Sequence, residues 1–292
     1  MTPITDLFDL TGKTAIVTGA SYGLGLTFAE ALGSAGAQLV LAARSQDKLD
    51  EFCRKLMVAG HRAIAVKCDV SDSTQVQNLM EISVSKFGRI DVLVNNAGVA
   101  SDAGMVPEQV PDEVFASTVQ VNLMGLWYCC RHAAGFMLAD GKGGSIINNA
   151  SVAGLCGIGN FPPAYQATKA AVIHLTRNLA CSWADRRVRV NALAPGWFPS
   201  EMTSPVFGTP GFLDWAAGSA PMGRIGRPEE LAPALIFLAS QASTFVTGQV
   251  LAVDGGLSAG TEHWPESTRA FLEAGPLGDL ARPIRPAKRE KA

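Results

Sequence analysis

The stretch Thr18-Gly19-Ala20-Ser21-Tyr22-Gly23-Leu24-Gly25 decides the fold. It leaves an apolar, β-branched run, Thr14–Thr18, and opens an amphipathic one at about 23–35. A strand that turns through glycines into a helix lets its backbone approach a ligand closely. The unpaired N–H groups at the helix start then favour an anion such as a pyrophosphate. Gly19, Ser21, Tyr22, Gly23 and Leu24 are the loop residues expected at that ligand. The spacing is GxxxGxG, not the GxGxxG of the usual dinucleotide fingerprint, so the loop taken alone could be only a turn.

Outward from this loop the chain alternates short apolar runs with amphipathic stretches. The pattern predicts strands at 14–18, 38–42, 63–67, 91–94, 145–149, 189–192 and 250–253. It predicts helices at 23–35, 46–58, 73–87, 117–138, 164–184 and 228–239. Strands this uniformly apolar are covered on both faces. The fold class expected is therefore α/β: one domain over 1–260, a doubly wound, seven-stranded parallel sheet with helices on both faces. Residues 203–226 are rich in Gly, Pro, Ser and aromatics, with a short helical pattern near 212–217, and are expected to form a lid. A tail over 261–292 carries Pro265, Pro276, Pro283 and Pro286 and a basic end, and is expected to be partly disordered or to pack on a neighbouring subunit.

The 292 residues are 48% hydrophobic and 17% charged, enough apolar material for a buried core. A net charge of −2 gives no field that would favour nucleic acid or an anionic membrane surface. No signal-like segment opens the chain, and no apolar run approaches the roughly 18–20 residues that span a bilayer, so a cytoplasmic location is expected. The six cysteines show no CxxC pair and the four histidines no HxxxH pair, which leaves reduced thiols and no metal as the expectation.

The end of the second strand bears on the ligand. An acidic residue there would bond the ribose 2′-hydroxyl of NAD and repel a 2′-phosphate. Ala43 and Arg44 stand there instead, and a guanidinium holds a phosphate by paired, charge-assisted hydrogen bonds. NADP(H) is therefore preferred, with NAD(H) possible; a solvated arginine at a strand end is the plainer reading. Asp69, followed by Val70 past the third strand, could accept from an adenine amino group or cap the next helix.

Tyr165 and Lys169 are four apart on a predicted helix and share one face. Moving a phenol from a pKa of ~10 towards ~7 requires about 4 kcal/mol. An ammonium at about 4 Å supplies about 1 kcal/mol in water and about 4 at the effective dielectric of a protein site. The pair can thus make an acid/base only in a partly desolvated cleft, helped by a positive nicotinamide ring. Ser151 could donate to the substrate oxygen, or simply cap a turn; Asn122 could hold a relay water, or satisfy backbone.

These motifs together resemble the short-chain dehydrogenase/reductase family over about 8–257: TGASYGLG at 18–25, Asp69, NNAG at 95–98, Asn122, Ser151, YxxxK at 165–169 and Pro195-Gly196. The resemblance implies a Rossmann fold, Tyr165 as acid/base and Lys169 lowering its pKa and binding the nicotinamide ribose. It implies Ser151 on the substrate oxygen and Asn122 in a proton relay. Asn95, Ala97 and Gly98 would line the cofactor site, and Pro195, Gly196, Trp197 and Ser200 would hold the carboxamide end. Homotetramers or dimers built on the two long helices flanking the fifth strand are also implied. Tyr22 departs from the basic residue that many NADP-preferring members carry. The fourteen-residue interval from Ser151 to Tyr165, with Phe161-Pro162-Pro163 in it, is one longer than is common.

The substrate-facing candidates are Ser151, Ala153, Cys156, Phe161, Trp197, Phe198, Met202, Phe207, Phe212 and Trp215. They make an apolar cleft suited to a ketone with hydrocarbon bulk, unless the aromatics pack the lid onto the body. Sugar acids or polyols and 3-oxoacyl thioesters remain as alternative substrates. A nucleotide-binding protein without catalysis is disfavoured because Asn122, Ser151, Tyr165 and Lys169 are all present. A lyase or epimerase is disfavoured by the short tail.

Overall fold

The first apolar run ends as a strand at Gly19, whose φ of +66° leaves the extended region. The computed structural model describes residues 2–260; the tail expected over 261–292 lies outside the described residues. The strands are β1 (Thr14–Thr18), β2 (Gln38–Ala43), β3 (Ala63–Lys67), β4 (Val92–Asn95), β5 (Gly144–Asn149), β6 (Val188–Pro195) and β7 (Val250–Val253). All seven are parallel, in the order β3-β2-β1-β4-β5-β6-β7. The order reverses where β1 lies between β2 and β4, and at such a point a crevice opens beyond the carboxyl ends of the strands.

The helices are α1 (Leu24–Ser34), α2 (Gln46–Val58), α3 (Ser73–Phe87), α4 (Asp112–Val119), α5 (Leu126–Ala139), α6 (Pro163–Trp183), α7 (Ser204–Phe207), α8 (Phe212–Ser219) and α9 (Ala232–Ala239). Side chains alternate across each strand, so the sheet feeds two buried layers. Ile16, Leu93 and Ile146 pack with Met80 of α3, Cys129 of α5 and Val172 of α6. Val17, Val94 and Ile147 pack with Phe28 of α1, Leu49 of α2 and Leu235 of α9. The doubly wound, seven-stranded parallel sheet expected from the sequence is the fold observed.

Three elements differ from their expected form. The helix predicted over 117–138 starts at Asp112 and has a π-helical stretch, Gln120–Gly125, between α4 and α5. Asp112 and Glu113 expose the first turn, and the wider π-turn shifts the apolar register, so the period reads late. β6 runs three residues beyond 192, because Asn191 is satisfied inside the sheet by Val246 O and Gln249 N–H. The 228–239 helix begins as a 3₁₀ turn, Pro228–Leu231. Among the described residues no helix is long and apolar enough to cross a membrane.

Candidate active site

The glycine turn is built by contacts that exclude side chains. Gly19 has φ +66°, and a Cβ on it would come within 2.8 Å of Ala97 Cα. A Cβ on Gly25 would collide with the Gly19 carbonyl. The turn is therefore pressed against the end of β4, leaving the start of α1 facing the crevice.

A chain of hydrogen bonds then runs across the strand tips. Thr18 Oγ1 accepts from the N–H groups of Asn96 and Ala97 at 3.0 and 3.1 Å. Asn96 Nδ2 donates to the carbonyls of Thr18 and Gly19 at 3.1 and 3.2 Å. Asn149 Nδ2 donates to Asn96 Oδ1 at 3.0 Å, and Lys169 Nζ donates to the Asn149 carbonyl at 2.7 Å. The glycine turn and the lysine of α6 are thus held in one frame.

The cleft has two lobes. One is lined by Gly19, Tyr22, Gly23, Leu24, Ala97, Gly98, Ser151, Tyr165, Lys169, Pro195, Gly196, Phe198, Ser200 and Met202, with Asn96, Asn149, Ala150 and Thr203. The other is lined by Ser21, Tyr22, Arg44, Asp69 and Val70, with Ser45, Cys68, Val99 and Val121. Asp69 Oδ1 accepts from the Ser71 amide and hydroxyl, while α3 is capped by Asp72 and not by Asp69. Arg44 is exposed and makes no ion pair among the described residues. Lys48 Nζ lies 6.0 Å from the Tyr22 ring centroid and brings a second cation to this end.

The structure places other expected residues outside the cleft. Asn95 faces the core, donating to Asn148 Oδ1 at 2.9 Å and to Cys130 Sγ at 3.2 Å, because it shares the face of Leu93. Asn96 stands in the cleft instead. Asn122 satisfies backbone: Oδ1 accepts from Val99 N–H and Nδ2 donates to Val99 O, both at 2.8 Å, and to Thr168 Oγ1 at 3.2 Å. Trp197 is buried and donates Nε1–H to Ser219 Oγ at 3.1 Å. Its ring packs against Phe161, Phe212 and Trp215 at 5.6, 5.4 and 5.4 Å between centroids, and Phe207 stacks on Phe212. Ala153 is buried and Cys156 joins the same apolar cluster. These aromatics pack the 203–226 segment onto the body; of the expected substrate-facing residues Ser151, Phe198 and Met202 line the cleft, and Phe161 borders it with its ring edge-on to Tyr165 at 6.0 Å between centroids.

Asn96, Asn149 and Lys48 escaped the sequence reading. Strand alternation could have found the first two: Asn95 and Asn148 follow the face of Leu93 and Ile146, so their successors turn to the other side.

Burial governs the electrostatics. It pushes the Tyr165 phenol up, with a contrary pull from the Ser151 hydroxyl bonded to it. It pushes Lys169 down to about 8. Lys169 Nζ lies 5.4 Å from the Tyr165 ring centroid. Each group is driven towards its neutral form, so a lowered phenol needs a further positive charge in the cleft. The cradle fits an elongated dinucleotide: glycine backbone and a helix start in the middle, two cations at one end, and a phenol, a hydroxyl and an ammonium at the other.

A family model described as Enoyl-(Acyl carrier protein) reductase matches residues 19–258. The chain belongs to the short-chain dehydrogenase/reductase family. It is 40% identical over 248 residues to a cis-4-hydroxycyclohexanecarboxylate dehydrogenase of Sinomonas cyclohexanicum, spanning 85% of this chain and 97% of that protein. It is 38% identical over 253 residues to a gluconate 5-dehydrogenase of Gluconobacter oxydans, spanning 87% and 97%. A solved gluconate 5-dehydrogenase from Burkholderia cenocepacia, in complex with NADP and tartrate, superposes with a TM-score of 0.84 at 36% identity, covering 88% of this chain and all of that one.

Proposed function

We propose that this chain is an NADP(H)-dependent oxidoreductase that interconverts a ketone and a secondary alcohol, with Tyr165 as the acid/base. The observation that carries the reading is the convergence of Ser151, Tyr165 and Lys169 at one end of a cleft that begins at the glycine turn. Bound nicotinamide supplies a hydride donor or acceptor.

The chain's own groups handle the proton and the charge. In reduction Tyr165 gives its proton to the carbonyl oxygen while Ser151 donates to the same oxygen; in oxidation the phenolate takes the proton back. Lys169 holds positive charge beside the phenol, fixed by the Asn149 carbonyl, and binds the nicotinamide ribose. Asn122, adjacent to Val99 and Thr168, supports a water path from the lysine. Gly23 and Leu24 hold the diphosphate at the start of α1, Asp69 the adenine, Pro195, Gly196 and Ser200 the carboxamide. Arg44, with Lys48 beside Tyr22, favours a 2′-phosphate.

Phe198 and Met202 give the substrate end an apolar wall, which suits a secondary alcohol on a hydrocarbon ring or chain. A polyol or sugar acid is the second reading, favoured by the relatives named for gluconate and by the Ser200 and Thr203 hydroxyls in the same lobe. A homotetramer or dimer and a cytoplasmic location belong to this proposal as well.

The test is cofactor oxidation and reduction followed at 340 nm, with NADPH and NADH in parallel against ring ketones, keto sugar acids and 3-oxoacyl thioesters. Turnover preferring NADPH, lost in Tyr165→Phe with nucleotide binding intact, is the expected result. A Tyr165→Phe variant of near-normal rate removes the reading.

A further inference from the structure

The helix that carries Tyr165 cannot cap itself. Its N-cap position is Pro162 and its first residue Pro163; proline has no side-chain acceptor, and Pro162 makes no cap hydrogen bond. By contrast, α3 is capped from within by Asp72, which accepts from Thr74 and Gln75.

The missing acceptor comes from 62 residues away. Asp102, in the segment between β4 and α4, is fully buried, and its Oδ2 accepts from the Ala164 N–H at 2.7 Å. Its other oxygen, Oδ1, is buried with no hydrogen-bond partner, and no cation pairs with Asp102 among the described residues. A carboxylate so placed is a poor stabiliser by itself, since an unpaired buried charge costs free energy. What offsets that cost is the positive end of a 21-residue helix. Ala164 immediately precedes Tyr165. On the other side of Tyr165, Gln166 donates to the carbonyls of Ile158 and Phe161 and accepts from Ile158 N–H. The first turn of α6 is therefore gripped from two directions with the phenol between them.

We infer that Asp102 is a positioning residue for the acid/base: it supplies the cap that α6 lacks and so fixes where the Tyr165 phenol stands. It acts from the segment that begins with Ala97 and Gly98, which line the cleft, so the nucleotide cradle and the proton donor share one anchor. The inference rests on the reading of Tyr165 as acid/base.

The experiment compares Asp102→Ala, Asp102→Asn and Asp102→Ala with Pro162→Ser, each against Tyr165→Phe. Asp102→Ala is expected to lower kcat at least about tenfold, with substrate KM within about threefold and NADPH affinity by fluorescence within about twofold. Asp102→Asn keeps an acceptor without the charge and retains kcat within about threefold. Pro162→Ser places a hydroxyl at the N-cap and restores most of the rate lost in Asp102→Ala, a rescue that a general packing role does not give. If Asp102→Ala does not fold, Asp102→Asn and the capped double variant carry the comparison. Asp102→Ala within twofold of the parent, or Asp102→Asn slowed by tenfold at unchanged thermal midpoint, overturns the inference while Tyr165→Phe is inactive. An active Tyr165→Phe overturns the acid/base reading instead.

Discussion

Lys169 Nζ stands 5.4 Å from the centroid of the Tyr165 ring and donates to the Asn149 carbonyl at 2.7 Å. The ammonium is thus tied to the tip of β5 and lies over the ring. A fixed charge here costs the fold something, because the lysine is buried and its pKa falls to about 8. Such a cost is what the role proposed for Lys169 requires, since groups at functional sites carry perturbed pKa values.

The lysine makes its own pH signature. The folded pKa of about 8 lies below the reference 10.5, so between those values the unfolded chain binds more protons than the folded one. The lysine's contribution to the unfolding free energy then rises with pH across that window and, as pH drops, is lost by about 8, below which both states are protonated. At about 1.4 kcal/mol per pKa unit, the difference is about 3 kcal/mol. Urea denaturation of parent and Lys169→Met at pH 7.5 and 10.5 should show the parent gaining stability relative to the variant between the two, since the raised Tyr165 phenol and buried thiols pull both proteins the other way.

Arg44 and Lys48 should separate the two cofactors. Arg44→Ala is expected to weaken NADPH at least about tenfold and NADH less than about twofold, as the loss of a paired charge-assisted contact dictates. Lys48→Ala, a single point charge at the same end, should cost NADPH about threefold. Fluorescence titration with NADPH, NADH and 2′,5′-ADP reads all three, and equal loss for both dinucleotides makes either residue a bystander.

Trp197 should matter to stability far more than Trp215. Trp197 is 8% exposed inside the aromatic cluster, while Trp215 is 49% exposed at its edge. Trp197→Ala is expected to cost about 3–5 kcal/mol, the usual range for emptying a buried aromatic site. Trp215→Ala should cost well under half of that. Denaturant midpoints at unchanged slope give both numbers.

The buried thiols should resist alkylation. Burial pushes Cys68 and Cys130 up to about 12 and Cys129 well above its usual value, so the reactive thiolate is scarce at pH 8. Iodoacetamide at that pH, followed by peptide mass analysis, should leave these three unmodified until the protein is unfolded. Labelling of Cys129 or Cys130 in the native state would contradict the burial of α5 against the sheet and α3, and labelling of Cys68 would contradict its burial at the end of β3.

Local sequence determined the alternation of strands and helices, because side-chain periodicity and the glycine turn act over a few residues. It also brought Tyr165 and Lys169 onto one helix face, which spacing alone dictates. Burial and long-range pairing lay beyond it. Asn95 and Asn96 are neighbours in the chain, yet one turns into the core and the other into the cleft, according to strand phase. Trp197, Phe161 and Phe207 carry no mark saying what they meet; the return of the 203–226 segment gathers them into one aromatic cluster, in which Phe161 also stands edge-on to the Tyr165 ring. The cap on α6 comes from Asp102, 62 residues earlier, and only the tertiary fold closes that distance.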